Sequence, residues 1–375
     1  MAKLMFNQTK KIIYAVAILS GTIIGVGLFS LPYITSKVGF WVMLGYFLVL
    51  GTLVIIVHLF FGELSLKTPD FKRLPGFAKI YLGNWGKNIA FISIILGLFG
   101  AMLAYLIVGG EFLTAALAPI FGGSNLLYTI FYFILGSYLV YSGIRAIAKI
   151  EFWGLVLFFL ILIVIFFKGF PYLKFANLFP SPDLGQLFLP YGAVLFSLWG
   201  AALIPEVEEM LGEQKRLLKK IIPIAILIPI FVYIFFIYLI LGITGSQTTE
   251  SALIGLKIFL GNKIAFLGLF FGVLATFTSF IALGVTLKKV FWYDLRIPHS
   301  LAWTLTCFLP LILFLIGIKS FISVISFVGA VVLGIDGILI LLMYRKIRPE
   351  RKFLIYPLTL IFLGGIIYGV IYFVK

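Results

Sequence analysis

The sequence predicts an all-α membrane protein with eleven transmembrane helices, arranged as two inverted repeats of five helices followed by one extra C-terminal helix. Hydrophobic residues make up 63% of the 375-residue chain and charged residues only 11%, and the mean hydropathy is +1.20. A soluble core of this length cannot bury so much apolar surface, and the apolar runs reach the roughly 20 residues that cross a bilayer. We therefore expect residues 1–375 to form a single transmembrane domain.

Eleven apolar runs, separated by short polar segments, are the candidate spans. They lie near residues 11–33, 39–66, 87–118, 125–143, 150–168, 187–210, 219–244, 263–290, 301–317, 321–344 and 353–374. The first repeat would take residues 11–168 and the second residues 187–344, with residues 353–374 as the extra helix.

The formal charge of +16 arises from short basic clusters that lie between the apolar runs. If the N-terminus is cytoplasmic, 22 of the 29 Lys and Arg residues fall on that side, as the positive-inside rule requires. The segments concerned are residues 1–11, 67–87, 145–149, 215–220, 288–296 and 345–352. The pattern predicts a multi-pass protein of the cell (inner) membrane with its C-terminus outside. It also favours the lipid bilayer over nucleic acid as the partner of the charge.

Residue types that support enzyme chemistry are scarce. The single cysteine, Cys307, lies in an apolar run and indicates neither a disulfide framework nor a thiolate metal site. Only two histidines are present, His58 and His299, and they give a membrane enzyme little support. We therefore expect neither an enzyme nor a bound cofactor, and the sequence does not indicate an oligomeric state.

The first span contains an unusual segment, Ser20–Pro32. It reads Ser-Gly-Thr-Ile-Ile-Gly-Val-Gly-Leu-Phe-Ser-Leu-Pro, so that three glycines and a proline interrupt an apolar helix. Backbone groups freed at bilayer depth cost several kcal/mol each unless protein, water or a ligand satisfies them. The segment therefore predicts a broken helix that lines a binding site. The alternative is a small-residue packing face, formed by Gly21 and Gly25 on an intact helix.

The sixth span carries a second interruption. The segment Phe196–Glu206 reads Phe-Ser-Leu-Trp-Gly-Ala-Ala-Leu-Ile-Pro-Glu and again combines small residues with a proline. Two interrupted spans that lie five spans apart are typical of transporters built from inverted repeats, in which the substrate binds between the breaks near the membrane midplane. This spacing predicts the five-plus-five arrangement.

The first-break segment Gly21–Pro32 resembles the first-helix motif of the amino acid–polyamine–organocation superfamily, especially its amino acid/auxin permease and hydroxy/aromatic amino acid permease branches. Its glycine and proline spacing also resembles that of the neurotransmitter:sodium symporters. Further matching segments are Gly62–Ser65, Tyr81–Trp85, Ala104–Glu111 and Thr278–Phe280. The resemblance implies a permease that moves amino acids by alternating access.

An amino acid zwitterion requires donors for its carboxylate and acceptors for its ammonium group. Backbone N–H groups at Gly25, Val26 and Gly27, at the start of the second half-helix, are the expected carboxylate ligands. The expected ammonium ligands are the carbonyl groups released at both breaks, namely those of Gly21, Thr22, Phe196 and Ser197.

Resemblance to sodium-coupled members of this fold implies a five-oxygen Na⁺ site between the first and eighth spans. Its ligands would be the hydroxyl groups of Thr278 and Ser279 and three carbonyl groups, those of Gly21, Ile24 and Ala275. The alternative is that the two hydroxyls only bond to carbonyls of their own helix. A second sodium position of the neurotransmitter symporters is disfavoured here, because their first-helix asparagine corresponds to Leu28.

Proton coupling is the competing mechanism. Some relatives replace sodium with a lysine on the fifth helix, but Lys149 and Lys168 lie at the ends of that span. Intramembrane carboxylates are costly and are usually functional, so the candidate proton carriers are Asp336, Glu111 and Glu206. A purely structural pairing of these groups is the alternative.

Side chains that could select the substrate include Tyr105, which could donate to its carboxylate. Phe196, Trp199 and Phe280 could form an apolar wall. No charged side chain is clearly central, which favours a neutral amino acid and, within that class, a large apolar or aromatic one. The sequence thus predicts a symporter of such amino acids, coupled to Na⁺ or H⁺. An ion transporter or a nontransporting amino acid sensor on the same scaffold is the alternative.

Overall fold

The computed structural model describes residues 2–68, 72–143 and 147–374, and every regular element among them is helical. The α-helices of this part of the chain are α1 (Ala2–Ile23), α2 (Leu31–Val38), α3 (Phe40–Lys67), α4 (Leu74–Leu82), α5 (Asn84–Phe121), α6 (Asn125–Ser142), α7 (Ile147–Gly169), α8 (Leu189–Leu198), α9 (Ile204–Leu211), α10 (Leu218–Thr244), α11 (Lys257–Lys289), α12 (His299–Leu315), α13 (Phe321–Phe327), α14 (Leu333–Ile347) and α15 (Lys352–Val374). The all-α prediction is confirmed. Arg145, one of the predicted cytoplasmic basic residues, lies outside the described residues.

Several of these helices could cross a membrane. Seven stretches of the described chain are long and apolar enough, or eight when the bent pair Lys11–Ile23 and Val26–Val38 counts as one span. One of them, Leu189–Gln247, contains the predicted sixth and seventh spans together, and two further apolar helices, Val156–Tyr172 and His299–Leu315, are shorter. A multi-pass membrane protein is confirmed, whereas the number eleven and the five-plus-five repeat stay predictions.

The first break lies where the glycines predict it. α1 ends at Ile23, Gly25 is extended (φ −115°, ψ −157°), and a 3₁₀ turn over Val26–Ser30 leads into α2. The two halves of the span meet at an angle of 49°. Pro32 lies in the first turn of α2, where a missing N–H removes no helical hydrogen bond. The glycines therefore end one half-helix, and the proline helps to start the other.

The second break has the same construction. α8 ends at Leu198, Trp199 is extended (φ −79°, ψ 121°), and a 3₁₀ turn over Ala201–Leu203 leads into α9. Pro205 lies in the first turn of α9, as Pro32 does in α2. Each break thus consists of one or two non-helical residues, a 3₁₀ turn and a proline-started half-helix.

The packing of the long helices places both breaks in the middle of the bundle. α5 packs against α4, α6, α11 and α12, and also contacts the 3₁₀ turn of the first break. α10 packs against α1, α2 and α3 on the other side. The first break therefore lies between α5 and α10, and it touches α8 directly.

The two ends of the bundle differ in how they are closed. At the end that carries α2, Phe29 packs edge-on against Phe112 (5.1 Å between ring centroids) and Phe236 (6.1 Å). All three rings are buried. At the opposite end, the short helix α4 packs against α5 and α14 with Leu74, Phe77 and Ala78 buried. A wide cavity opens beside α4.

Candidate substrate and ion sites

Two cavities meet at the first break. The smaller, of about 310 Å³, lies between α1 and α11, and the larger, of about 1320 Å³, connects both breaks with the end of the bundle that carries α4. Thr22, Gly25, Val26 and Tyr105 line both cavities. The basic residues that line the wide cavity near its opening are Lys72, Arg73, Lys79, Lys87 and Arg296. The larger cavity therefore opens at the end that the sequence predicts to be cytoplasmic.

Carbonyl groups at the first break lose the donors that an unbroken helix would give them. The Gly25 N–H, which would bond to Gly21 O, donates to Ile23 O instead (2.8 Å). The Leu28 N–H, which would bond to Ile24 O, donates to Gly25 O (3.2 Å). Gly21 and Ile24 both line the smaller cavity. The break thus frees two carbonyl oxygens at this cavity for a ligand.

The hydroxyl group of Tyr105 lies at the amide end of the same break. The Val26 N–H, which would bond to Thr22 O, donates to Tyr105 Oη (3.2 Å). A Cβ atom on Gly25 would lie 2.7 Å from Tyr105 Oη, so only glycine permits this approach. Thr22 O therefore lacks its helical donor as well, and the predicted carboxylate position is next to a phenol that is able to donate to an anion.

The two breaks are in direct contact. A Cβ atom on Gly27 would lie 3.1 Å from Ser197 Cα and would also collide with Ser197 Oγ, so the approach requires glycine. Phe196, Ser197 and Trp199 line the larger cavity together with Gly25 and Gly27. The structure thus brings these predicted substrate residues to a single cavity.

A histidine holds the second break. The Gly200 N–H donates to His58 Nε2 (3.0 Å), and the buried imidazole packs edge-on against Trp199 at 5.0 Å between ring centroids. Because Nε2 accepts, the neutral ring carries its proton on Nδ1. His58 therefore satisfies an amide that the break has released.

The carbonyl groups of the second break are less free than the sequence predicts. Ser197 O, an expected ammonium ligand, accepts from Tyr233 Oη (2.8 Å), and Phe196 O accepts a long bond of 3.5 Å from the Trp199 N–H. Ser197 Oγ donates to Ala193 O (2.7 Å). The unengaged backbone acceptors therefore lie mainly at the first break.

All five predicted sodium ligands line the smaller cavity. Ala275, Thr278 and Ser279 follow the i, i+3, i+4 spacing that places residues on one face of α11, and this face lines the same cavity as Gly21 and Ile24. Thr278 Oγ donates to Ala275 O (3.1 Å), as membrane threonines often do within their own helix. Donation uses the hydroxyl proton and leaves the oxygen lone pairs for a cation, so this set of oxygen atoms fits a hard monovalent ion.

Asp336 lies in the wall of the larger cavity. It is 6% exposed, and its Oδ1 atom has no hydrogen-bond partner among the described residues. Its carboxyl group lies within hydrogen-bonding reach of Ser93, whose hydroxyl donates to Val332 O (3.0 Å). Ser93 also lines the larger cavity, so its hydroxyl group and the Asp336 carboxyl group lie on the same wall.

The other two candidate proton carriers have different surroundings. Glu206 lines the larger cavity and lies 3.4 Å from Arg73 Nε, so its charge is balanced by an ion pair. Glu111 lines neither cavity and lies at the closed end beside Ser251 and Glu250. Burial raises the pKa of Glu250, which lies in the loop between α10 and α11.

The sequence as a whole matches one family. The tryptophan/tyrosine permease family aligns with residues 8–374. The chain belongs to this family. It is an amino acid permease, which agrees with the expected superfamily and with the expectation that it is not an enzyme.

Individual relatives agree with this assignment. The permease is 28% identical to tyrosine-specific transport system 1 of Haemophilus influenzae over 296 residues, which cover 74% of this chain and 72% of the relative. Its fold is similar to that of Mhp1, a nucleobase-cation-symport-1 family transporter in a closed conformation with bromovinylhydantoin bound, with a TM-score of 0.65, 14% identity and coverage of 95% and 90% of the two chains. It is also similar to MhsT in complex with L-phenylalanine, with a TM-score of 0.63, 14% identity and coverage of 94% and 98%.

One predicted substrate residue of the permease lies elsewhere. Phe280 is fully buried, lines neither cavity, and packs against Gly136 and the ring of Tyr132 in α6. The expectation that it walls the site is wrong because it follows Ser279 by one position, and one residue turns a helix by about 100°. The cavity face of α11 continues instead at Ala282 and Leu283.

Two side chains that bond to the breaks of the permease are not evident from the sequence. His58 accepts from an amide of the second break, and Tyr233 contacts carbonyl groups of both breaks. The sequence carries only a general signal of such bonds: a polar side chain within a membrane-spanning apolar helix must find a hydrogen-bond partner. Which partner it finds depends on the packing of separate helices.

Proposed function

We propose that this permease is a secondary active transporter that carries neutral aromatic amino acids across the cell membrane by alternating access. The observation that carries the proposal is the first break, where carbonyl oxygens released from helical bonding adjoin a cavity that leads to the basic end of the bundle. The family name and the tyrosine transport relative favour tyrosine or tryptophan as the substrate. L-phenylalanine in MhsT is a related ligand on a similar fold.

The proposed substrate lies between the two breaks. Its carboxylate would accept from the Val26 and Gly27 amides at the start of the second half-helix, and Tyr105 Oη would turn its proton toward the same group. Its ammonium would donate to Thr22 O, which has lost its helical donor. Phe196 and Trp199 would contact the side chain in the larger cavity.

The closed and open ends indicate how transport would proceed. The aromatic cluster at Phe29 closes the end opposite α4, while the larger cavity leads to the end with the basic residues. If the N-terminus is cytoplasmic, this arrangement is the inward-facing state. Rocking of the broken helices against α5 and α11 would then close the basic end and open the aromatic one.

Sodium at the smaller cavity is the proposed driving ion. The Gly21 and Ile24 carbonyls lack their helical donors, and two hydroxyls of α11 face the same cavity. The carbonyl ends of half-helices are the usual cation ligands of transporters with broken helices. An ion here would hold α1 against α11 and would thereby link its own binding to the shape of the substrate site.

A proton is the alternative driving ion, and Asp336 is the observation that favours it. Its buried carboxyl group lies at the wall of the open cavity, and its Oδ1 atom has no hydrogen-bond partner among the described residues. Binding of a proton would remove a buried charge, which is costly at membrane depth. Glu206 is a weaker carrier because Arg73 already neutralises it, and Glu111 is remote from the open cavity.

Uptake by the purified permease in proteoliposomes tests the substrate and the driving ion. We expect accumulation of labelled tyrosine, tryptophan or phenylalanine when an inward Na⁺ gradient is imposed. The absence of gradient-driven uptake of every amino acid would exclude the transporter proposal, and binding without uptake would favour the sensor alternative. Uptake driven by a pH gradient alone would assign the coupling to a proton.

Variants of α11 test the ion site directly. Thr278→Ala and Ser279→Ala should each raise the Na⁺ concentration for half-maximal uptake by about tenfold, the equivalent of one lost ion–oxygen contact of roughly 1.4 kcal/mol. Thr304→Ala is the matched control, because Thr304 Oγ donates to Ser300 O of its own helix and lines neither cavity. Wild-type Na⁺ dependence in both α11 variants would refute the proposed ion site but leave the substrate proposal intact.

A further inference from the structure

The hydroxyl group of Tyr233 joins the two breaks. Tyr233 lies in α10 with no exposed surface, and its Oη atom is 2.6 Å from Ile23 O and 2.8 Å from Ser197 O. Ile23 is the last residue of α1, and Ser197 is the penultimate residue of α8. A single phenol therefore bridges the carbonyl ends of two half-helices.

Two converging helix C-termini create a local need for positive charge. Each carries a partial negative charge from its unpaired carbonyl groups, and the two oxygens lie on either side of one atom. In broken-helix transporters such ends coordinate a cation. Here the position is filled by a neutral hydroxyl, whose one proton can donate fully to only one of the two carbonyls at a time.

The same two residues face the substrate region. Ile23 and Ser197 both line the larger cavity, whereas Tyr233 lies behind them without lining it. The carbonyl that does not hold the Tyr233 proton keeps its acceptor capacity. Tyr233 thus fixes the separation of the two breaks from the side that faces away from the larger cavity. It leaves either Ile23 O or Ser197 O without the hydroxyl proton.

We propose that Tyr233 takes the place of a monovalent cation between the two breaks. Of the two candidate ion positions, between the breaks and at α11, only the position at α11 is then left for a coupling ion. The hydroxyl group permanently supplies the positive end of its O–H dipole to the two carbonyl groups, and α10 holds this group in place. Tyr233 is thus a positioning residue for both breaks. This inference rests on the proposed transport function, because it assigns a role within the same substrate site.

Removing the hydroxyl should create a cation requirement. In Tyr233→Phe, Ser197 O loses the Tyr233 donor and Ile23 O keeps only the Gly25 N–H, so we expect the affinity for labelled tryptophan in choline medium to fall at least about tenfold. Added Na⁺ should restore it by occupying the vacated position. In Tyr233→Asn, a shorter side chain keeps an oxygen and leaves more room, so the restoration should need less Na⁺.

The matched control is Tyr191→Phe. It also removes a buried tyrosine hydroxyl that donates to a backbone carbonyl, Ile361 O at 3.1 Å, but this bond joins α8 to α15 and not to the other break. We expect this variant to bind tryptophan with the same cation dependence as the wild type. Thermal melting and size-exclusion profiles of the purified full-length proteins show that each variant is folded.

The comparison with the wild type makes the outcome decisive whichever ion drives uptake. A folded Tyr233→Phe or Tyr233→Asn variant with wild-type affinity in choline overturns the proposal. Lost affinity that neither Na⁺, Li⁺ nor K⁺ restores in either variant overturns it as well. Failure of the wild type to bind any aromatic amino acid would instead reject the transport proposal on which it rests.

Discussion

The two helix breaks have the same construction but treat their released backbone groups differently. At the first break, the Gly21, Thr22 and Ile24 carbonyls lose their helical donors and face cavities. At the second, His58 accepts from the Gly200 N–H and Tyr233 donates to Ser197 O.

The difference shows that a break does not by itself make a ligand site. Backbone groups freed at membrane depth must be satisfied, and the protein has done this with its own side chains at the second break. The first break retains carbonyl groups without helical donors beside both cavities. In the proposed site, the second break therefore mainly supplies a wall, while the first supplies most of the ligands.

Separating the two breaks should have the largest effect. Gly27→Ala places a Cβ atom against Ser197, and overpacking of this kind costs about 1–3 kcal/mol. We expect uptake to fall at least about tenfold with a lower melting temperature. Gly45→Ala is the control, because nothing lies within 4 Å of its Cβ position in α3 and alanine favours the helix by about 0.5–1 kcal/mol. Wild-type uptake by Gly27→Ala would show that the contact is dispensable.

Releasing the amide of the second break should have an intermediate effect. His58→Leu leaves the buried Gly200 N–H unpaired at a cost of about 1–3 kcal/mol, and the adjacent Trp199 should shift. We expect a higher KM for tryptophan with a smaller change in maximal rate, measured by uptake kinetics. His58→Gln supplies an acceptor again and should recover part of the loss.

The second histidine provides the comparison for this variant. His299→Leu changes a side chain that packs on Tyr141 and Trp292 and lines neither cavity. Its KM should equal that of the wild type. Equal effects of His58→Leu and His58→Gln would mean that the hydrogen bond to Gly200 is not what holds the second break.

Removing the ion pair at the open end should have the smallest effect. Arg73 and Glu206 are 55% and 33% exposed, and exposed pairs contribute about 0–1 kcal/mol. Arg73→Ala should change the uptake rate less than about fivefold, and the change should shrink in high salt because salt screens exposed charges. Loss of pH-driven uptake in Glu206→Gln would instead indicate that Glu206 carries the coupling proton.

Local chemistry explains why the breaks were predictable from sequence. Gly25 and Pro32 act within their own segment: one permits the extended residue and the tight approach of Tyr105, and the other starts α2. The i, i+3, i+4 spacing in α11 likewise places Ala275, Thr278 and Ser279 on one face without knowledge of the rest of the fold.

Contacts between distant helices were not predictable in this way. Tyr233 is separated from Ile23 by 210 residues and His58 from Gly200 by 142. No periodicity in either segment indicates the partner, because only the packing of α3 and α10 against the breaks creates these bonds. Phe280 shows the same limit, since its sequence neighbours are at the cavity and it is not.

Close contacts at glycine also join α8 to α13 and to the π-helical turn that follows α13. A Cβ atom on Gly192 would lie 2.8 Å from the Cα atom and the carbonyl carbon of Ser326, and one on Gly329, in the π-helical turn Val328–Val332, would lie 2.7 Å from the Gly192 carbonyl carbon. Two backbones in contact have no side chains to lift past one another. We expect α8 to pivot at this contact when the broken helices rock, so that the packing around the contact changes little.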